Sequence, residues 1–398
     1  MSIRRSYLDY NASAPMRPEV SAAMQDVFVH PGNASSIHRE GRHHRKLIEA
    51  ARKQVAELVG ADIDGVTFTS SATEAANLAL SPLIYSDGRP RDADILFVAA
   101  TEHPCILSGG RFEQDQVVTV PVHQNGQIDL QAFERLLSQH AGKVPYLAIQ
   151  MVNSETGIVQ PVADAAKIVR LRGGYVLCDA VQAAGRLSID IGELGVDFMI
   201  LSAHKLGGPQ GVGAFINAHA VLSVPPAIRG GGQELNRRAG TENTAAISGF
   251  GVAAGLANID AAKYLETVAL KDSIESSLHP ICAENGLSDR LTIFGRDSER
   301  VGNTCLFSVE GLKAETALIA FDLDGVAVSS GSACSSGKVG ASHVLEAMGV
   351  KPEVARGAIR VSLGWDSKQE DVEHFARSFK RITRRLSEMT QNAIAGAA

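Results

Sequence analysis

Cysteine is scarce and poorly placed for cross-linking: the 398-residue chain has five, at positions 105, 178, 282, 305 and 334. None forms a CxxC pair or joins histidines at zinc-ligand spacing, which argues against a disulfide framework and a structural metal. Cys178 and Cys305 sit in apolar, strand-like stretches, where a thiol behaves as a small buried hydrophobe. Charge of either sign is thin as well. Only 21% of residues are charged, the formal net charge is -6 and the pI is about 6.1, so nothing draws the whole chain to nucleic acid or acidic lipid. Long hydrophobic runs are missing. The small-residue stretch from Ala245 to Ala262 is interrupted by Ser248, Asn258 and Asp260, short of the roughly 20 mostly apolar residues that a membrane span needs. Arg4-Arg5 is followed by Ser6 to Asn11, with no apolar export segment behind it, and the expectation is a cytoplasmic protein. Internal repeats and low-complexity linkers are absent too.

The chain is instead an alternation of short apolar runs and helical patterns. A helical stretch from about Gly41 to Val59 precedes the apolar run Val66 to Thr69, and Thr73 to Leu80 is again helical. Apolar runs at 95–98, 117–120, 146–149, 175–178 and 197–201 continue the pattern, with a helix over 162–171 between two of them. Such repetition predicts an α/β fold, a mainly parallel sheet with helices on both faces. From about Ser248 the pattern changes to one long helix running towards Leu278, strands near 291–293 and 303–309, a helix from Ala314 and a strand over 358–363. This predicts a second, smaller α+β domain.

Candidate chemistry collects at strand ends. Ser202-Ala203-His204-Lys205 places a lysine where the run 197–201 gives way to the glycine-rich stretch 207–213. A lone lysine there is usually a surface residue. However, the run 175–178 ends at Asp179, and in an open parallel sheet ligands gather beyond the carboxyl ends of strands, so Asp179 and Lys205 would face one pocket. A lysine that forms an imine and a carboxylate that keeps a pyridine nitrogen protonated are what pyridoxal phosphate chemistry most needs. Ser70-Ser71-Ala72-Thr73-Glu74 opens a helix after a strand and suits a phosphate, although a plain capping motif reads the same way. His103, in a loop at the same sheet edge, would stack on a ring or move protons, or be a solvated bystander. Cys334 lies among Ser and Gly residues from Ser329 to Gly337, a segment too poor in hydrophobes for a core. A thiol there is a nucleophile once ionised, or an incidental loop cysteine. Arg360, on the apolar strand 359–363, needs an anion: a substrate carboxylate or an internal acidic residue.

In order along nearly the whole chain, Tyr7 to Ala12, Ser71 to Glu74, Thr101 to Pro104, Asp179 to Gln182, Ser202 to Lys205, Gly230 to Glu234, Gly240 to Asn243, Ser329 to Gly337 and Ser342 to Leu345 resemble the cysteine desulfurases. These are the NifS/IscS-like group of class V aminotransferases, among fold-type I pyridoxal phosphate enzymes. The resemblance implies a mainly parallel seven-stranded sheet in a large domain, residues 16–250, and a small domain formed by 1–15 and 251–398. It implies pyridoxal 5'-phosphate as cofactor, anchored covalently by Lys205, with Asp179 on the ring nitrogen and Gln182 on the phenolic oxygen. His103 would stack on the ring and carry protons. Ala72, Thr73, Ser202 and His204 would hold the phosphate, with Thr241 reaching in from the second subunit of a homodimer. Arg360 and Asn153 would bind the substrate, L-cysteine, and Cys334 would accept its sulfur as a persulfide. The onward recipient would be an acceptor protein such as an iron-sulfur scaffold, with no direct role for nucleic acid or membrane. Asn153-Ser154-Glu155 departs from the usual Asn-Asn-Glu, so Ser154 stands where an asparagine contacts the phenolic oxygen. A selenocysteine lyase and a catalytically silent cofactor-binding assembly partner are the alternative readings.

Overall fold

The computed structural model describes residues 5–259, 261–331 and 342–395. The alternation resolves into a seven-stranded sheet of β1 (Val66–Thr69), β2 (Ile95–Ala99), β3 (Val117–Val120), β4 (Pro145–Gln150), β5 (Tyr175–Asp179), β6 (Phe198–Ser202) and β7 (Gly213–Asn217). Their spatial order is β1-β7-β6-β5-β4-β2-β3. The strands from β6 through β5, β4 and β2 to β3 run parallel, and β7 is antiparallel to both β6 and β1. The central strands are buried along almost their whole length, as expected where helices cover both faces of a parallel sheet.

Side chains of a strand alternate between faces, and so does the packing. On β2, Ile95, Phe97 and Ala99 join one core with Ile48 and Val55 of α1 (Arg39–Leu58). Leu96 and Val98 join the opposite core with Ala75 and Ala79 of α2 (Ala72–Ala79). Val169 of α3 (Val162–Arg170) and Phe250 of α4 (Thr244–Ile259) belong to the first of these. The helix expected from about Ser248 to Leu278 is present on both sides of position 260, which lies outside the described residues, as α4 and α5 (Ala261–Glu284).

A second sheet joins β8 (Leu291–Ile293), β9 (Thr304–Val309), β10 (Ser329–Ser330) and β11 (Ile359–Ser362) in the order β8-β9-β11-β10, with every pairing antiparallel. Its core is aromatic: Phe375 and Phe379 of α7 (Gln369–Ala395) cluster with Phe307 and Phe321, the rings of Phe375 and Phe379 stacked nearly parallel with centroids 5.9 Å apart; α6 (His343–Ala347) lies between β10 and β11 in sequence. The start of the chain belongs here, because Ser6–Tyr7 pairs with Val326–Ala327 and Asp9 bridges to Ser362. Residues 9–12 are thereby carried from the small sheet to the edge of the large one. Among the described residues no helix is long and apolar enough to cross a membrane.

Candidate active site

The carboxyl ends of the parallel strands deliver the reactive groups to one place. Gln150, Asp179 and Ser202 are the last residues of β4, β5 and β6, and register places Gln150 opposite Asp179. Lys205 closes the short 3-10 turn Ala203–Lys205 that follows β6. All four line a cavity of about 290 Å³, at the sheet edge where open α/β folds bind ligands. The Lys205 ammonium donates to the backbone carbonyls of Asn11 and Ala12, the latter at 2.9 Å. Asp179 accepts the Val181 N–H at 3.0 Å. Burial pushes its carboxyl up to about 6, against the pull of the Lys205 charge. A cation seated against this carboxylate would reverse that penalty, which is what a protonated pyridine nitrogen does.

At the other end of the cavity is an anion cradle. Ser71 caps α2 by accepting the Glu74 N–H at 3.1 Å, leaving the first-turn amides of Ala72 and Thr73 without an intrahelical acceptor at the positive end of the helix dipole. Both residues line the cavity with Ser202 and His204. His204 is held well below the usual imidazole range, at about 4, by burial and by the neighbouring Lys205 charge, conditions that a bound phosphate dianion would relieve. Gly213 makes the cradle possible. It pairs with Thr69 on one side and Ser202 on the other, and a Cβ there would stand 2.5 Å from the Ser71 carbonyl carbon and 2.7 Å from the Ala72 nitrogen. Gly213→Ala should therefore displace the start of α2 at an overpacking cost of about 1–3 kcal/mol. Fluorescence titration with pyridoxal phosphate should show weakened affinity, and an unchanged dissociation constant would show that the close approach is dispensable.

The remaining expected residues divide. Arg360, almost fully buried on β11, reaches the cavity, where Nη2 meets Asp9 at 2.7 Å and Nη1 donates to the Ser154 carbonyl at 3.1 Å. Thus an internal carboxylate already holds the guanidinium, while the buried Nε has no partner among the described residues. Ser154 and Gln182 also line the cavity; Gln182 donates to the Asn11 carbonyl at 3.0 Å and accepts from Arg186. Asn153, expected among the substrate contacts, is placed elsewhere. Its Oδ1 accepts from the Glu155 and Thr156 amides and the Thr156 hydroxyl, and its Nδ2 donates to the Thr101 carbonyl. The side chain shapes a turn, its Nδ2 also lying 3.5 Å from the Gln150 side-chain oxygen, and it is not among the residues lining the cavity.

His103 lines the cavity and caps the short helix Pro104–Leu107. Its Nδ1 accepts the Cys105 N–H at 3.2 Å and lies 3.0 Å from the Cys105 sulfur, which assigns the ring proton to Nε2. Burial, with the charges of Lys205 and His343, lowers this imidazole to about 4, so it is neutral near pH 7. Cys105, Asn11, Gln150 and Asp9 complete the site and were not singled out from sequence. Asp9 and Asn11 do fall inside the run Tyr7 to Ala12, but Asn11 acts through its backbone carbonyl, which no residue type announces.

Thr241 is exposed and stands outside the cavity. The loop before it holds three successive residues in the left-handed region, Glu234, Leu235 and Asn236, at φ 47°, 57° and 63°. The buried Glu234 carboxylate secures them, accepting two bonds from Arg52 at 2.8 and 2.9 Å and one from the Phe68 N–H at 2.7 Å. Cys334 lies outside the described residues. The four described cysteines are all held as thiols by burial: Cys105 rises to about 12, Cys282 to about 11, and Cys178 and Cys305 well above the usual range.

The residues present thus fit pyridoxal phosphate: an amine, a buried carboxylate and an anion cradle face one cavity. Comparison with known proteins agrees. The profile of the family described as Aminotransferase class-V matches residues 6–375. A curated relative, "Cysteine desulfurase IscS" of Dictyoglomus turgidum, is 36% identical over 388 residues, covering 96% of this chain and 95% of its own. The solved NifS-like protein of Rickettsia africae is 32% identical, with a TM-score of 0.83 over 95% of this chain and 99% of its own. Another solved structure, of SspA in complex with cysteine, is 27% identical, with a TM-score of 0.71 over 90% and 98% of the two chains. The chain belongs to the class-V aminotransferase family, and within it to the NifS/IscS-like cysteine desulfurases, which depend on pyridoxal phosphate.

Proposed function

We propose that this chain takes sulfur from L-cysteine, releasing L-alanine and holding the sulfur as a persulfide on Cys334. The observation that carries the reading is the convergence of Lys205, Asp179 and Arg360 on one cavity with the α2 N-terminus. Pyridoxal phosphate, when bound, supplies an aldehyde for an amine to capture and a ring that draws electrons from the substrate α-carbon. Lys205 is the amine that anchors it. Released by the incoming substrate amine, Lys205 becomes the base that takes the α-proton. Asp179 would keep a proton on the ring nitrogen, Gln182 and Ser154 would serve the phenolic oxygen, and Ala72, Thr73, Ser202 and His204 would hold the phosphate. Arg360 steers the substrate carboxylate, sharing its charge with Asp9. His103 would lie against the ring and, neutral with its proton on Nε2, would carry protons between substrate atoms.

The Cys334 thiolate then attacks the substrate sulfur: an S–S bond forms, the Cβ–S bond breaks, and its electron pair stays with carbon, which is protonated on the way to alanine. Cys334 is favoured because burial keeps the other four cysteines as thiols. In this reading residues 16–250 bind the cofactor, while 1–15 and 251–398 bring Arg360 and Cys334 to it. The protein works as a homodimer, Thr241 serving the phosphate of the other copy, and passes sulfur in the cytoplasm to an acceptor protein such as an iron-sulfur scaffold.

The test is direct. Purified chain with pyridoxal phosphate, L-cysteine and a thiol reductant should yield alanine and sulfide in equal amounts, and borohydride should fix the cofactor to the peptide containing Lys205. A chain that stays colourless with the cofactor, or is labelled at another lysine, sinks the assignment.

A further inference from the structure

Glu155 has no part in the chemistry above, yet it is a buried carboxyl group beside the active site. The turn that Asn153 holds together aims it: Asn153 Oδ1 accepts the Glu155 N–H at 3.0 Å. Its Oε2 accepts the Ser342 hydroxyl at 2.5 Å. Ser342 simultaneously accepts the Leu345 N–H at 3.1 Å and so caps α6. On the opposite flank, a Cβ added to Gly331 would stand 3.0 Å from the same Oε2. Gly331 and Ser342 are the last described residues before and after positions 332–341, which include Cys334.

The same turn also addresses the substrate end. The carbonyl of Ser154, the residue before Glu155, holds Arg360 at 3.1 Å, and β10, just before Gly331, pairs with the strand that carries Arg360 through Ser329 opposite Arg360. Burying a carboxyl group is costly unless its position is worth that cost. Burial raises this one to about 7, and the bonds from Ser342 and the Arg360 charge only partly oppose it. One side chain is therefore bonded to Ser342 on one flank of positions 332–341 and lies close to Gly331 on the other, in the turn whose Ser154 carbonyl holds Arg360.

We propose that Glu155 is a positioning residue for sulfur transfer: its carboxyl group fixes Ser342, and with it the start of α6, against the Asn153–Thr156 turn whose Ser154 carbonyl holds Arg360, and so sets where the chain stands immediately after positions 332–341. This rests on the reading of Cys334 as sulfur acceptor. It acts through these neighbours and touches no reacting atom.

The experiment uses full-length holoenzyme, mixed rapidly with L-cysteine and quenched, with sulfur on Cys334 followed by mass spectrometry and substrate binding followed by the cofactor absorbance change. Glu155→Ala should leave the absorbance change and its cysteine dependence as in the parent, while slowing the appearance of sulfur on Cys334 at least about tenfold, since misplacement by about 1 Å costs that much or more. Glu155→Gln, which keeps the length and a bond to Ser342, should restore most of the rate. Ser342→Ala removes only the hydroxyl and should show a smaller loss of the same kind; it decides the matter if Glu155→Ala does not fold. Parental transfer rates in Glu155→Ala or Ser342→Ala, or cysteine binding and transfer falling together, overturn the inference. A parent chain that makes alanine with no sulfur on Cys334 overturns the functional reading instead.

Discussion

A Cys334→Ala chain should bind pyridoxal phosphate as the parent does and give the same absorbance change with cysteine, yet release alanine at least about 10³-fold more slowly, the scale of losing a nucleophile that acts as part of a unit. The contrast between intact binding and lost release follows from where the groups lie. The residues proposed to anchor the cofactor, among them Lys205, Asp179, Ala72, Thr73 and Ser202, line the cavity from the sheet edge, α2 and the turn at Lys205, none of which includes position 334. No other thiol stands ready to substitute. Cys105 is the one described cysteine that lines the cavity, but burial holds it near 12 and the carboxyls of Asp179 and Glu102 push it further from ionisation. Retained alanine release would remove the covalent role of Cys334. Retained turnover of selenocysteine alone, with cysteine turnover lost, would mark the chain as a lyase for the selenium compound.

Asp179→Asn should be nearly as damaging, lowering turnover by about 10²–10³-fold, the range seen when one preorganised electrostatic partner of a developing charge is lost. Asparagine keeps the size of the side chain and its bond to the Val181 N–H, so folding and cofactor binding should survive. What disappears is the fixed negative charge that keeps the ring nitrogen protonated. Glu102 cannot replace it. That carboxyl is wholly buried behind Asp179, accepts the Gln150 N–H at 2.8 Å, and is pushed well above the usual range by burial and by the Asp179 charge, which favours its neutral form. The absorbance spectrum of the Asp179→Asn holoenzyme, titrated from acid to alkaline pH, should show the ring nitrogen losing its proton earlier than in the parent. Parental turnover would dismiss the carboxylate from the mechanism.

Much of this arrangement is legible in the sequence for a simple reason. Strands of the large sheet are buried on both faces and read as unbroken apolar runs, so the points at which Asp179 and Ser202 end them stand out by residue type. Capping chemistry is equally local, and Ser71 to Glu74 announces α2 without help from the rest of the chain. Contacts made across long separations leave no such trace. Arg360 meets Asp9 across 351 positions, and from the strand alone a substrate carboxylate and an internal one were equal claims on its charge. The resemblance implies a substrate role for Asn153; the residue type suits an Asx turn equally, and the three bonds to its Oδ1 that build that turn could not be read from the sequence. Lys205 resting on the carbonyls of Asn11 and Ala12 was hidden because any residue supplies a carbonyl.

The Glu234 clamp bears on how two copies would meet. Three adjoining residues in a sparsely populated backbone region cost about 1–3 kcal/mol each, a conformation that a solitary loop abandons. Here the Arg52 fork and the Phe68 amide keep that conformation in the lone chain, with Leu235 presented outward at 46% exposure. If, as proposed, the nearby Thr241 serves a second copy, that copy would encounter a finished surface, the entropy usually forfeited when a loop orders on docking having been settled during folding. Assembly of the proposed homodimer then becomes an encounter between rigid shapes, with an association rate limited by diffusion and orientation instead of by rearrangement.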